Sequence, residues 1–162
     1  MSVNVKLSES LVDQAKRHAQ IQHRSVPKQI EYWSKIGKIA EENPDLPFAM
    51  IRDILIADQE EVIWRVPVQL MRLLVTPSFV RAAKKLHRPQ KADLDKAVRA
   101  IGAAPEIGEA KVGDLAGVRI YKFRLVNQLC LLAYRIIDKD GLKLLTFGPH
   151  ENFYRDLKRL DE

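Results

Sequence analysis

The stretch GVRIYKFRLVNQLCLLAYRII, residues 117–137, has the pattern of strands in the second half of the chain. Val118 and Ile120 recur every second residue, which predicts the apolar side of a half-buried strand. A turn at Asn127-Gln128 splits the stretch into two strands. Because strand side chains alternate between faces, the polar residues of the first strand share one face only if a bulge or an edge position redistributes them. These polar residues are Arg119, Tyr121, Lys122 and Arg124.

The elements around this stretch form a unit that starts at Met71. The predicted order is β-α-α-β-β-β-α, in which two helices pack as a hairpin against an antiparallel sheet. The remaining elements are a strand at 72–77, helices at 78–87 and 89–105, a strand at 142–148 and a helix at 151–160.

The first part of the chain predicts a short strand followed by helices. Residues 2–8, SVNVKLS, alternate apolar and polar side chains, and helices follow at 8–22, 25–43 and 45–61. Residues 62–70 are extended and apolar, and Pro67 excludes a central strand there. A single short strand with helices cannot form a sheet, so we expect a second copy to pair with it. The overall class is α+β.

Composition predicts a folded cytoplasmic protein with an anionic partner. The 162 residues are 46% hydrophobic and 30% charged, without a membrane span or signal peptide. Residues 1–70 hold nine basic against ten acidic residues, whereas residues 71–162 hold 18 against 11. The basic second half favours a polyanion. Cys130 is expected in the core, and the four histidines and one cysteine lack metal-ligand spacing, so we expect no metal.

Residues 2–43 resemble the ribbon-helix-helix domain of ParD-like antitoxins, most specifically in RSVPKQIEYWSKIGK, residues 24–38. The resemblance implies a dimer whose two-stranded ribbon enters the major groove of operator DNA. Base contacts would come from the strand and phosphate contacts from the start of the second helix. The corresponding residues are Ser2, Asn4 and Lys6 on the strand, and Arg24, Ser25 and Lys28 at the helix start.

Residues 71–160 resemble the RelE/ParE toxin superfamily, through VRIYKFRL, LCLLAYRII, LKLLTFGPH and ENFYRDLKR in this order. The RelE branch implies an endoribonuclease that cuts mRNA on the ribosome without metal or cofactor. The chemistry needs proton transfer and cations that stabilise the developing negative charge. The catalytic candidates are His150, Arg124, Lys122, Arg119, Tyr154 and Arg155. Arg135, Lys143, Lys158 and Arg159 are expected to be ordinary solvated charges, and His18, His23 and His87 receive no role.

The two resemblances therefore predict an antitoxin fused to a toxin. Residues 1–45 would be the DNA-binding domain, 46–70 the neutralising segment and linker, and 71–162 the toxin domain. The middle segment would mask the toxin, as the segment after the DNA-binding domain does in ParD-like antitoxins. Its masking side chains are expected to be Phe48, Ile51, Leu55, Ile63 and Trp64. Two alternatives remain for the toxin domain: a ParE-like gyrase inhibitor without enzymatic activity, or a decayed toxin that serves as a corepressor scaffold.

Overall fold

The computed structural model describes residues 1–68 and 71–150, which contain helices and one mixed sheet. The helices are α1 (Glu9–Gln22), α2 (Val26–Glu42), α3 (Phe48–Gln59), α4 (Pro77–Lys84) and α5 (Arg88–Ala103). The strands are β1 (Trp64–Val68), β2 (Met71–Val75), β3 (Glu109–Ala110), β4 (Val118–Leu125), β5 (Gln128–Asp138) and β6 (Gly141–Pro149). The α+β class is confirmed. The helix predicted at 151–160 lies outside the described residues.

The chain divides into two compact units, Met1–Lys38 and Ile39–Glu162. In the first unit, Ser8 caps α1 by accepting a hydrogen bond from the N–H of Leu11 at 3.3 Å. The predicted strand at 2–8 is not formed in the single chain, where residues 1–8 have no regular secondary structure. A strand needs a neighbour for its backbone N–H and C=O groups, and the dimeric ribbon that would provide one stays a prediction.

The second unit is built on a six-stranded sheet with the order β1-β2-β6-β5-β4-β3. Adjacent strands are antiparallel except β2 and β6, which are parallel, so the expectation of a wholly antiparallel sheet was wrong for this pair. The chain between these strands is long enough to make the crossover that parallel pairing requires. Pro67 lies in β1, an edge strand, as its missing N–H demands.

One face of the sheet carries a core beneath α4 and α5. Odd-numbered residues of β2 and β4 and even-numbered residues of β5 point into this core, together with apolar residues of the two helices. Its members include Phe79, Leu94, Ile101, Phe123, Leu132, Tyr134 and Phe147. We call this side of the sheet the helical face.

The turn between β4 and β5 lies one residue earlier than predicted. Leu125 pairs with Gln128, so the loop residues are Val126 and Asn127. Val126 has a left-handed backbone (φ 60°), which is unusual for a β-branched residue. Its N–H donates a 2.7 Å hydrogen bond to Oδ2 of Asp93 on α5, which holds the turn in place.

Candidate functional site

Strand β4 pairs with β5 in a regular register over its whole length. The bulge that would have brought its polar residues together is absent. Alternation therefore places Lys122 and Arg124 on one face of the sheet, with Arg119 and Tyr121 on the other. The four residues predicted to act together are divided into two pairs.

Arg119 and Tyr121 lie on the helical face and are engaged in the fold. The guanidinium of Arg119 donates hydrogen bonds to the carbonyl oxygens of Glu106 (3.2 Å) and Gly108 (2.8 Å). Tyr121 stacks on Phe123 with ring centroids 6.5 Å apart. Arg119 therefore holds the loop before β3 in the structure described.

Arg124 and His150 lie on the face opposite the helical face, separated by one strand. Arg124 is directly opposite Leu129, and the carbonyl oxygen of Leu129 accepts the backbone N–H of His150 at 2.9 Å. Directly paired residues share a face, and two strand spacings amount to about 10 Å. Lys122 lies on this face two residues before Arg124. These three residues form the candidate site.

Part of this same face is covered by the chain that precedes the toxin-like part, while Lys122 and Arg124 remain exposed. We call residues 39–68 the covering segment. Its helix α3 packs against β6, and a Cβ atom on Gly148 would lie 3.4 Å from Cε of Met50. Gly148 is opposite Leu131, which is opposite Lys122, so the start of α3 lies on the sheet beside the candidate site. The buried residues of α3 are Met50, Ile51, Ile54 and Ala57.

Asp45 of the covering segment pairs with a buried lysine of the toxin-like part. The side chain of Lys111 is 3% exposed, and its Nζ lies 2.5 Å from Oδ2 of Asp45. Burial acts to raise the pKa of Asp45, but the hydrogen bond and charge of Lys111, with a contribution from Lys122, lower it below the ordinary value. Asp45 thus interacts mainly with Lys111 and more weakly with the charge of Lys122, one residue of the candidate site.

Asp58 of the covering segment makes the most extensive polar contact with the sheet. Its two carboxylate oxygens accept hydrogen bonds from Nε (2.6 Å) and Nη2 (2.7 Å) of Arg135, and its carbonyl oxygen accepts one from Nζ of Lys143 (3.2 Å). Two-bond pairs of this kind are among the stronger polar interactions. The expectation that Arg135 and Lys143 are ordinary solvated charges was wrong, because α3 brings a carboxylate to them.

Two further contacts fix the ends of the covering segment. The amide of Asn43 accepts the N–H of Val112 (3.2 Å) and donates to its carbonyl oxygen (3.3 Å). The carboxylate of Glu60 accepts hydrogen bonds from the backbone N–H (3.0 Å) and hydroxyl of Ser78, and from Arg81 (3.4 Å). The sequence analysis assigned no masking role to Asn43 or Glu60. A charge count over residues 39–68 alone would have drawn attention to the acidic ones.

The five predicted masking residues differ in burial. Ile51 is fully buried and Leu55 is half-buried, but Phe48 is 48% and Ile63 53% exposed, so the expectation that they are buried was wrong. Helix α3 is rotated so that Met50, Ile54 and Ala57 face the sheet instead, at the i, i+4, i+7 spacing of one helical stripe. Trp64 lies in β1, paired with Val75.

The predicted DNA-contacting residues all lie in the first unit. Ser2, Asn4 and Lys6 are exposed. At the start of α2, Oγ of Ser25 accepts the N–H of Lys28 at 3.4 Å, and Lys28 is in an exposed ion pair with Glu31 at 3.6 Å. The guanidinium of Arg24 lies over the ring of Tyr32, 4.2 Å from its centroid, and donates to Gln29 (3.2 Å). Phosphate binding by Arg24 would have to exchange these contacts.

Tyr154 and Arg155 lie outside the described residues. Within residues 1–68 and 71–150, no three His, Cys, Asp or Glu side chains come together as a metal-ion site would require. In the same part of the chain, no helix combines the length and apolar character needed to cross a membrane.

Comparison with known families finds two regions that meet at residue 73. Residues 73–158 match the family described as ParE-like toxin of type II bacterial toxin-antitoxin system. Residues 2–73 match the family described as ParD-like antitoxin of type II bacterial toxin-antitoxin system. No curated protein matches the chain.

The fold and these matches define the class as a type II toxin-antitoxin protein in which antitoxin and toxin are one polypeptide. The chain belongs to the ParE-like toxin family, and it carries a ParD-like antitoxin region ahead of the toxin domain. The resemblance to both families inferred from the sequence is confirmed.

Proposed function

We propose that the protein is a self-neutralised toxin-antitoxin fusion, in which the covering segment masks the toxin. The observation that carries this proposal is the placement of α3 on the sheet face that holds Lys122, Arg124 and His150. In this proposal the chain is divided into a DNA-binding part at 1–45, a neutralising part at 46–70 and a toxin at 71–162. The contacts made by Asn43 and Asp45 extend the neutralising part a few residues towards the N-terminus.

Covalent linkage makes such masking persistent. A short tether keeps a segment at an effective concentration of roughly millimolar near its docking surface. The segment also buries an apolar helix stripe, and its strand β1 pairs along the full length of β2. Opening the toxin therefore requires loss of both packing and backbone pairing.

The first unit would bind operator DNA as a homodimer and repress its own promoter. Val3 and Val5 are 81% and 72% exposed in the single chain, and a paired ribbon would bury one apolar side against the helices of the dimer. Asn4 and Lys6 would then face the bases, with Ser2 beside them, and the start of α2 would face a phosphate. This partner and the mRNA-bearing ribosome are both cytoplasmic, which is where the protein would act.

The toxin domain, once uncovered, would cleave mRNA. Of the catalytic candidates in the described part, Lys122, Arg124 and His150 share a face, and these types supply the chemistry required. The imidazole of His150 would transfer a proton, and the two cations would stabilise charge that develops on the scissile phosphate. Tyr154 and Arg155 remain candidates to assist, and Arg119 is a candidate only if its loop contacts are exchanged for RNA.

A second candidate is inhibition of DNA gyrase without enzymatic activity. The family match favours it, because the family is described as ParE-like and resemblance to ParE implies gyrase as target. In that case the exposed cations Lys122 and Arg124 would contribute to a protein interface.

Expression of residues 71–162 under tight control tests the two candidates. The ribonuclease assignment predicts growth arrest with mRNA cleavage, and His150→Ala should lower the cleavage rate by about 10²-fold. Arg124→Ala should have a comparable effect, whereas Arg99→Ala on the exposed side of α5 serves as the control. Arrest that survives His150→Ala and is accompanied by blocked supercoiling would establish the gyrase-type function instead.

A further inference from the structure

The covering segment and the toxin domain carry opposite charge. Residues 39–68 contain seven acidic and two basic residues, net −5, while residues 71–150 contain seven acidic and 15 basic residues, net +8. The acidic residues of the segment are not only solvated, because two of them reach cations of the sheet. These are Asp45, which reaches Lys111, and Asp58, which reaches Arg135.

The cations that receive these carboxylates lie in one row across the sheet. Arg135 is directly opposite Val118 on β4 and opposite Lys143 on β6. Lys111 follows β3 and donates its backbone N–H to the carbonyl oxygen of Val118 at 2.9 Å. We call Lys111, Arg135 and Lys143 the distal row. It runs perpendicular to the strands, on the same face as the candidate site.

The distal row and the candidate site are separated along the strands. Arg124 lies six positions after Val118, a distance of about 20 Å at the rise of an extended strand. Lys122 lies between the two, nearer to Arg124. A strip of cations of this length on one sheet face could contact the backbone phosphates of several nucleotides in a single nucleic-acid strand.

Without the covering segment, the toxin's own groups would leave these cations only partly compensated. Lys111 would keep Glu109, whose carboxylate is 3.7 Å away and 62% exposed. Arg135 would keep the carbonyl oxygen of Ala116 at 3.0 Å, which carries no net charge. The closed chain satisfies both with the carboxylates of Asp45 and Asp58, which resemble phosphate in charge and in their acceptor oxygens.

We propose that the distal row is a second RNA-binding element of the toxin, which holds backbone phosphates away from the scissile bond, and that Asp45 and Asp58 occupy it in the closed chain. The inference rests on the proposed RNA-directed function. The neutralising segment then competes with RNA for Lys111 and Arg135, and α3 lies beside the candidate site, whose Lys122 and Arg124 are exposed.

The test uses the full chain, opened by Ile54→Ala, which removes a buried contact between α3 and the sheet. His150→Ala is included to prevent cleavage, and a fluorescein-labelled uridine oligonucleotide is the probe, followed by anisotropy over a range of salt. The opened chain should bind more tightly than the closed one. Lys111→Gln and Arg135→Gln should each weaken binding by the opened chain about tenfold, and each should lower the salt slope by about one.

Arg99→Gln, which removes a cation from α5, is the matched control and should change neither quantity. Equal affinity and slope for Lys111→Gln, Arg135→Gln and Arg99→Gln would overturn the proposal. Circular dichroism identifies any variant that fails to fold. For such a case, hydrogen exchange on the unmutated chain gives a second measurement. Oligonucleotide should accelerate exchange of α3 amides if it competes with the segment, and an unchanged rate at saturation overturns the proposal.

These outcomes separate the inference from the proposed catalytic function. In one outcome, His150→Ala abolishes cleavage by the 71–162 fragment, but Lys111→Gln and Arg135→Gln do not affect RNA binding. That outcome would refute only the proposed role of the distal row. In the opposite outcome, RNA binding depends on the distal row but His150→Ala leaves the cleavage rate unchanged. That outcome would refute only the proposed ribonuclease mechanism.

Discussion

The carboxylate of Asp58 forms a two-bond ion pair with the guanidinium of Arg135, although 77 residues separate them along the chain. One residue belongs to the antitoxin-like segment and the other to the toxin sheet. Nη1 of Arg135 also donates to the carbonyl oxygen of Ala116. Gly117 has φ +90° and no side chain, and it permits the guanidinium to approach this backbone. The pair therefore joins the covering segment to β5 and, through Arg135, to the loop before β4.

Breaking this pair should weaken the closed state. Asp58→Ala leaves Arg135 with one uncharged acceptor. Hydrogen bonds to charged groups contribute about 1.5–3 kcal/mol each. Because both side chains are partly exposed, this pair should contribute only a fraction of that free energy. We expect the free energy of unfolding of the whole chain to fall by about 1–2 kcal/mol in urea titrations. Asp53→Ala, on the exposed part of the same helix and next to Arg52, is the control. A loss no larger than that of Asp53→Ala would show that the pair contributes no net stability.

The pair of Asp45 and Lys111 should make stability depend on pH in the acid range. The pKa of Asp45 is lowered from its ordinary value of 3.8, so the folded state binds its proton less readily than the unfolded state. The stabilisation is therefore present above that ordinary value and is lost as the pH falls through the lowered pKa. In chemical denaturation from neutral pH downward, the difference between the wild type and Asp45→Asn should shrink below pH 3.8. A difference that is constant down to the acid limit would contradict the pairing.

Removal of residues 1–38 should abolish operator binding but leave the toxin neutralised. The compact unit that contains the toxin begins at Ile39 and includes α3 and β1, so the masking contacts are retained. Cells that express residues 39–162 should grow normally, whereas residues 71–162 should arrest growth. Ile54→Asp in the 39–162 chain should restore toxicity, because a buried charge expels α3 from the sheet. Growth arrest by the unsubstituted 39–162 chain would show that neutralisation needs the first unit.

Two lysines of the first unit should affect DNA binding differently. Lys6→Ala should weaken binding to the operator at particular bases, and Lys28→Ala should weaken binding to all sequences with a lower salt slope. Anisotropy with operator and scrambled duplexes measures both effects, and Lys16→Ala on the exposed side of α1 is a control. Equal losses on both duplexes for both variants would refute the docking. Light scattering that finds a monomer at micromolar concentration would remove the dimer itself.

Much of the fold follows from local patterns. The helices at 9–22, 26–42, 48–59 and 88–103 carry caps, prolines and apolar stripes that predict them within a few residues. Alternation identifies β4, and Pro67 identifies an edge strand. The resemblance to two families can also be recognised from the sequence, because each half keeps the order of helices and strands of its own family. These features depend on neighbours a few residues apart, which a sequence displays directly.

The tertiary structure alone decided which residues meet. Periodicity could not reveal that β2 runs parallel to β6, that α3 turns Met50 and Ile54 towards the sheet while Phe48 stays exposed, or that Arg135 meets Asp58. Helix rotation and cross-strand pairing depend on the shape and charge of a surface assembled from distant parts of the chain. The separation of Arg119 from Arg124 has the same origin, since strict alternation without a bulge is a property of the paired strands. For this protein, the amino-acid sequence indicated the two family regions and most of their helices and strands, and long-range packing fixed which cations the antitoxin-like segment contacts.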